Sequence, residues 1–281
     1  MRARAALLAA VMVLTPVIAA AQVSERIRIP FDDGELQAVL FRPEGSGPFP
    51  AVIAMHGCGG LWRANGELSL RHVDWGRRLA AAGLIVVMPD SYGSRRLGSQ
   101  CGVKEMTVRA SRERVADATV TRLYLLARRD VRPDEISLIG WSGGGSTVLA
   151  AIRTDRRPGD LRPDYKRAVA FYPNCRTQLD SQSFSARIPT LILMGEKDDW
   201  TPPATCQLIT TAARARGEPV ELVLYPDAVH DFDHPRLERK ERDNVPLSAT
   251  GTGIATVGTD PDARADAIRR VETFLLGRKA R

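Results

Sequence analysis

The chain has 281 residues, 44% of them hydrophobic and 26% charged, with 40 Lys and Arg against 33 Asp and Glu. That balance is ordinary for a soluble globular protein; it excludes a disordered chain and a protein of many membrane spans, and the length suits one large α/β domain. The formal charge of +7 is scattered, as at Arg77, Arg78, Arg112, Arg114, Arg128, Arg129, Arg156 and Arg157, without aromatic residues interleaved on one face, so no nucleic-acid partner is expected.

Met1-Arg2-Ala3-Arg4, an apolar run from Ala5 to Ala20 and the small residues Ala19-Ala20-Ala21 follow the three-part plan of a secretory signal peptide. Removal of residues 1–21 is expected, leaving 22–281 as a single domain. Pro16 breaks the apolar run and no basic stop-transfer flank follows it, so stable membrane insertion after signal removal is not expected. The implied location is periplasmic or secreted. Cysteines can pair there, and the four in this chain allow three pairings. Cys58 and Cys101 both follow early strands while Cys175 and Cys206 both follow late ones, so Cys58–Cys101 and Cys175–Cys206 are the expected bridges. No CxxC spacing occurs, and no metal site is expected.

In chain order, the alternating run Arg26–Ile29, the turn signal Asp32-Asp33-Gly34 and the run Leu36–Phe41 predict an antiparallel hairpin. Pro43, Gly45, Gly47 and Pro48 end it. Short, continuously apolar runs then alternate with helical stretches, the pattern of strands buried on both faces of a parallel sheet. The strands are predicted at Ala51–Met55, Leu84–Met88, Ile136–Ile139, Ala168–Phe171, Pro189–Met194 and Val220–Leu224. Helices are predicted at His72–Ala82, Thr107–Arg128, Gly143–Arg153, Ala204–Arg216 and Asp262–Leu276. The second of these carries a stripe of Val115, Ala118, Leu123, Leu126 and Ala127 expected to lie on the sheet, with its arginines outside. Residues 237–261 lack periodicity and read as a surface loop or as a flap near the site.

The chemistry is concentrated where Ile136-Ser137-Leu138-Ile139 runs into Gly140-Trp141-Ser142-Gly143-Gly144-Gly145, a G-x-S-x-G motif between a strand and a helix. A sharp turn there lifts the Ser142 hydroxyl above the sheet edge, and only glycine fits two residues before and after it. Serine needs a base to remove its proton. Of the four histidines, His230 follows the last predicted strand, where a loop returns over the same edge; His234 lies nearby, and His56 and His72 precede the nucleophile. The carboxylate that holds the histidine's tautomer is expected after the preceding strand, at Asp198, with Asp199 and Glu196 as solvated neighbours. His56-Gly57-Cys58-Gly59-Gly60 fills the loop that supplies a second oxyanion donor, so the N–H groups of Cys58 and Gly143 are expected to form the oxyanion hole, with His56 propping that loop. Trp141 and Trp200 flank these segments, and packing is the role expected of them.

In this order, and over nearly the whole chain that follows the signal, the segments Gly140–Gly144, Gly195-Glu196-Lys197-Asp198 with Pro202, and Ala228-Val229-His230-Asp231-Phe232 resemble the dienelactone hydrolase family. The resemblance implies an α/β-hydrolase fold: a mostly parallel central sheet with an N-terminal antiparallel hairpin and helices on both faces. Dienelactone hydrolases proper carry a cysteine nucleophile where this chain has Ser142, and His56-Gly57-Cys58 replaces their glutamate-bearing segment. The family's carboxylate-binding arginine after the fourth strand is matched in place by Arg95, which the resemblance makes a candidate for an anionic substrate group. The implied activity is hydrolysis of a small-molecule carboxylic ester or lactone through an acyl-enzyme on Ser142, without metal or organic cofactor. The same machinery would serve a peptidase or a polysaccharide acetyl-esterase. A catalytically silent binding protein of the same fold is the alternative of a different class, and three intact catalytic positions argue against it.

Overall fold

Continuous apolar runs that cannot be wetted on either face stack side by side, and that requirement builds the molecule. In the computed structural model, residues 24–31, 34–159, 162–180 and 184–278 are described. The expected signal segment with its cleavage point after Ala21, and the Asp32-Asp33 part of the hairpin turn, lie outside them. Eight strands form one sheet: β1 (Ser24–Phe31), β2 (Gly34–Phe41), β3 (Phe49–Met55), β4 (Ile85–Pro89), β5 (Val131–Trp141), β6 (Ala168–Phe171), β7 (Thr190–Gly195) and β8 (Val220–Tyr225). Their spatial order is β1-β2-β4-β3-β5-β6-β7-β8, with β2 antiparallel to both its neighbours, β1 and β4, and all other pairs parallel. Every residue of β4, β6 and β7 is buried, as uninterrupted Val, Ile, Leu and Ala runs demand.

The helices are α1 (Leu70–Ala81), α2 (Glu113–Leu126), α3 (Gly143–Ala151), α4 (Arg176–Asp180), α5 (Pro203–Ala215) and α6 (Pro261–Leu275). The chain steps one way from β3 to β4 and the other way from β4 through β5 to β8. Right-handed crossovers therefore place α1 on one face of the sheet and α2, α3 and α5 on the other. The reversal falls at β3, with β4 on one side and β5 on the other, which is where an open parallel sheet leaves a crevice beyond its carboxyl ends. Met55 at the end of β3 stands opposite Gly140 near the end of β5, so the two loops leaving these strands meet there.

One expectation is corrected. The buried face of α2 is Arg114, Asp117, Ala118, Thr121, Arg122 and Leu125, and Val115 and Leu126 are only half-buried, so arginines lie inside rather than outside. The reason is that α2 runs from the crevice to the far side of the sheet, and polar groups on its inner face find partners there: Asp117 takes Arg95, and Arg122 reaches the carbonyl of Pro163 at 3.3 Å and the ring of Tyr165. Of the two readings of residues 237–261, a segment near the site is the one observed, and Leu247 lines the cleft. These residues contain a small antiparallel ladder of β9 (Lys240–Arg242) and β10 (Ala255–Val257), and Val245, Ala255 and Val257 pack on Trp200 and Cys101. Asp199 fastens this segment by accepting from the Thr256 N–H at 2.7 Å and its hydroxyl at 2.8 Å.

Candidate active site

The turn from β5 into α3 holds Ser142 at φ 52°, ψ −118°, a backbone conformation that residues with a side chain avoid. Its neighbours make that turn sterically feasible. A Cβ on Gly140 would strike the backbone of Gly144, and one on Gly144 would strike the carbonyls of Met55 and His56, so both positions require glycine. The Ser142 N–H is tied to the carbonyl of Phe171 at 2.9 Å, anchoring the turn on β6.

The loop after β8 brings His230 back over the same edge. Its Nε2 lies 3.0 Å from Ser142 Oγ and its Nδ1 2.8 Å from Asp198 Oδ2. Asp198 is fixed on all sides: Oδ1 accepts from the N–H groups of Trp200 (2.9 Å) and Thr201 (2.8 Å), and Oδ2 from the Thr201 hydroxyl at 2.9 Å. The proton of the imidazole therefore resides on Nδ1, facing the carboxylate, and Nε2 is left to accept from serine. His230 is 1% exposed, and burial alone disfavours its charged form, but the charge and hydrogen bond of Asp198 outweigh that and raise its pKa above the ordinary value of 6.5.

A pH dependence follows. His230 must be neutral to take a proton, so kcat/KM for a non-ionising ester is expected to fall as pH drops through this raised pKa, with the acid limb centred above 6.5. A limb centred below that value would contradict the Asp198–His230 pairing. For stability the sign is opposite. The raised pKa favours the fold fully below the unfolded value, and that contribution is lost as pH rises through the folded one.

The loop after β3 lies across the turn. A Cβ built on Gly143 would stand 3.8 Å from the Cys58 nitrogen, so the Cys58 and Gly143 amides border one space beside Ser142. Gly143 is the first residue of α3, and its N–H belongs to the helix's unpaired N-terminal donors. His56 is fully buried and locked neutral: burial and the nearby Arg114 cation push its pKa well down, its Nε2 accepts from the Ser91 N–H at 3.1 Å, and its Nδ1–H donates to the Gly57 carbonyl at 2.8 Å. Both disulfides have the expected pairing, Cys58–Cys101 and Cys175–Cys206. The first ties the Cys58 loop to the wall of the cleft, and no free thiol remains at Cys58 to compete as nucleophile.

The cleft above Ser142 has a volume of about 460 Å³, and Tyr92, Met106, Arg114, Trp200 and Leu247 are among the residues that line it. Leu247 comes from the 237–261 segment, which thus forms a wall of the site. Trp200 also lines it, its ring 4.7 Å from that of His230, whereas Trp141 is wholly buried and packs as expected. Arg95 is not where an anionic substrate would meet it. Its guanidinium is paired with Asp117 at 2.7 and 3.0 Å, donates to the Ser91 carbonyl at 2.8 Å and stacks near Phe31, away from the lining of the cleft. The buried Asp117 carboxylate, invisible in a linear reading, claims it first.

Two further groups escaped the sequence reading. Thr201 braces Asp198, and its position three residues on in a tight turn was the only signal for it. Asp233 is fully buried and accepts from Trp75 Nε1 (2.7 Å), Trp141 Nε1 (2.8 Å) and the Tyr172 hydroxyl (2.5 Å), joining the nucleophile turn to the histidine loop. Its donors come from three distant segments, so no local pattern announces it. Among the described residues, no cluster of three or more His, Cys, Asp or Glu is placed to hold a metal ion, and no helix is long and apolar enough to cross a membrane.

A parallel sheet with a serine on the strand-to-helix turn and a histidine loop after the last strand defines the α/β-hydrolase class. The dienelactone hydrolase family matches over residues 36–276, and the chain belongs to that family as one of its hydrolases. Over 229 residues it is 27% identical to a Methylorubrum extorquens protein assigned as a carboxymethylenebutenolidase, covering 75% of this chain and 72% of that one. Over 210 residues it is 26% identical to a Bradyrhizobium protein assigned as a 2-oxo-3-(5-oxofuran-2-ylidene)propanoate lactonase, covering 69% of this chain and 78% of that one. The solved structure of a dienelactone hydrolase-like promiscuous phosphotriesterase from metagenomic libraries has the same fold, with a TM-score of 0.69 at 17% identity over 92% of this chain and 99% of that one.

Proposed function

We propose that the protein is an exported serine hydrolase that cleaves a small carboxylic ester or lactone through an acyl-enzyme on Ser142. The observation that carries this reading is the unbroken relay from Ser142 Oγ through His230 to Asp198, with contacts of 3.0 and 2.8 Å, on a turn that only glycine neighbours permit. In the first step Ser142 Oγ bonds to the carbonyl carbon while its proton passes to His230 Nε2. The carbonyl π pair moves onto oxygen, which the N–H groups of Gly143 and Cys58 receive. Collapse of the intermediate expels the alkoxide, which takes the proton from His230; for a lactone that alcohol stays tethered to the acyl group. Water then attacks the acyl-enzyme, giving its proton to His230, and the released Ser142 recovers it.

The cleft volume suits a small molecule, and relatives in the family are assigned to lactone chemistry. Export is supported by the three-part N-terminus and by two disulfides, which persist in a periplasmic or extracellular setting. The test is acid quenching during turnover of a short-chain p-nitrophenyl ester, followed by peptide mass mapping. The acyl group is expected on the peptide containing Ser142. An acyl group on another residue, or a folded protein inert toward a panel of esters and lactones, would overturn the proposal.

A further inference from the structure

Arg114, in the first turn of α2, is fully buried, yet among the described residues no carboxylate lies within ion-pairing distance of it. One of its terminal nitrogens donates to the His56 carbonyl, and its guanidinium carbon lies 5.1 Å from the centre of the Tyr92 ring. Among the described residues, the other terminal nitrogen, Nη1, and Nε have no hydrogen-bond partner. Nη1 points to the catalytic side: it is 3.3 Å from the place a Cβ on Gly143 would occupy, and the Cys58 nitrogen is 3.8 Å from that same place. Arg114 also lines the cleft with Ser142 and Gly143. The other cations at the cleft are disposed differently, since Arg109 is engaged by Glu113 and Lys104 sits beside Glu105 at its outer part.

A guanidinium taken out of water without a counter-charge is costly, and the cost is relieved when a negative charge arrives next to it. We infer that Arg114 is an electrostatic stabiliser of the oxyanion, a buried cation beside the Gly143 and Cys58 amides whose counter-charge appears only when Ser142 attacks. The inference rests on the reading of Ser142 as nucleophile. A neutral ester brings no charge to this position in the ground state, so the interaction strengthens in the transition state and acts on kcat. A carboxylate anchor would act instead on the binding of anionic substrates. The bond to the His56 carbonyl, at the root of the Cys58 loop, also holds the second amide donor in place.

The experiment compares the full mature protein with Arg114→Gln and Arg114→Lys, using a neutral p-nitrophenyl ester, an ester bearing a carboxylate, and the rate of labelling by a fluorophosphonate. Glutamine keeps a donor for the His56 carbonyl and removes the charge; lysine keeps the charge. Arg114→Gln is expected to lower kcat for the neutral ester about 100-fold with KM changed less than about threefold, and to slow labelling in parallel. Arg114→Lys is expected to recover at least about tenfold of that loss, the size expected of restored charge in a dry site. Unchanged kcat in the glutamine variant, a change confined to KM for the carboxylate ester, or a lysine variant no better than glutamine would each overturn the inference. If the glutamine variant does not fold, Arg114→Lys decides alone: a raised KM for the carboxylate ester at unchanged kcat would overturn the inference, and a lowered kcat at unchanged KM upholds it. Failure of the wild type to be labelled refutes Ser142 as nucleophile, whereas a labelled wild type with an unaffected Arg114→Gln refutes only the role of the arginine.

Discussion

Replacing Ser142 by alanine is expected to lower kcat for a small ester by about 10⁶-fold, with KM little changed. The hydroxyl is the only group on this turn that can become acylated, and alanine meets the same backbone strain at φ 52° as serine, so the turn itself is retained. What remains in the proposed mechanism is the assistance of the Gly143 and Cys58 amides, which belong to the main chain and survive the substitution. Steady-state kinetics on the purified variant, with its folding checked by circular dichroism, measure the loss. A variant retaining a tenth of the activity would place the nucleophile elsewhere.

The second large effect is expected at Asp198, where asparagine should reduce kcat by about 10⁴-fold while leaving ester binding nearly intact. The surroundings dictate this outcome. The Trp200 and Thr201 N–H groups hold an oxygen at the Oδ1 position, at 2.9 and 2.8 Å, so the amide NH2 of an asparagine must turn toward His230 Nδ1. Nδ1 then becomes an acceptor, the imidazole proton moves to Nε2, and the histidine faces Ser142 with nothing to accept its proton. Asp199→Asn, one residue along, is expected to cost less than about tenfold in kcat, because Asp199 holds Thr256 of the wall segment and not the histidine. Equal losses in the two variants would contradict the assignment.

Much of this was legible in the residues themselves because it follows from local sterics and from chain order. The buried parallel strands are written as runs such as Ile85-Val86-Val87-Met88, and Gly140 and Gly144 announce a turn that excludes side chains. Given a serine on that turn, a histidine after the last strand and an acid after the one before it follow from topology; the contacts of His230 with Ser142 and Asp198, and of Asp199 with Thr256, then separate His230 from His234 and Asp198 from Asp199. The bridges Cys58–Cys101 and Cys175–Cys206 follow from which strand ends lie together.

What was hidden depends on partners far away in sequence. Arg95 has the right position for an anion-binding residue, but Asp117, 22 residues later on the inner face of α2, neutralises it. The same inner face carries Arg114 into the crevice, although a stripe drawn through Val115, Ala118 and Leu126 places it in solvent. Hydrophobic periodicity finds the face that minimises polar burial, and here a polar face is buried because partners or chemistry await it. Asp233 shows the limit most plainly, since its role exists only where Trp75, Trp141 and Tyr172 converge.

The most direct measurement of the central claim is the intact mass of the mature protein after reaction with a fluorophosphonate, run beside Ser142→Ala. A single adduct on the wild type and none on the variant is the predicted result, and it would show that one serine is activated, at the turn between β5 and α3. A folded wild type that takes up no adduct, or an alanine variant that is labelled as readily as the wild type, would contradict it.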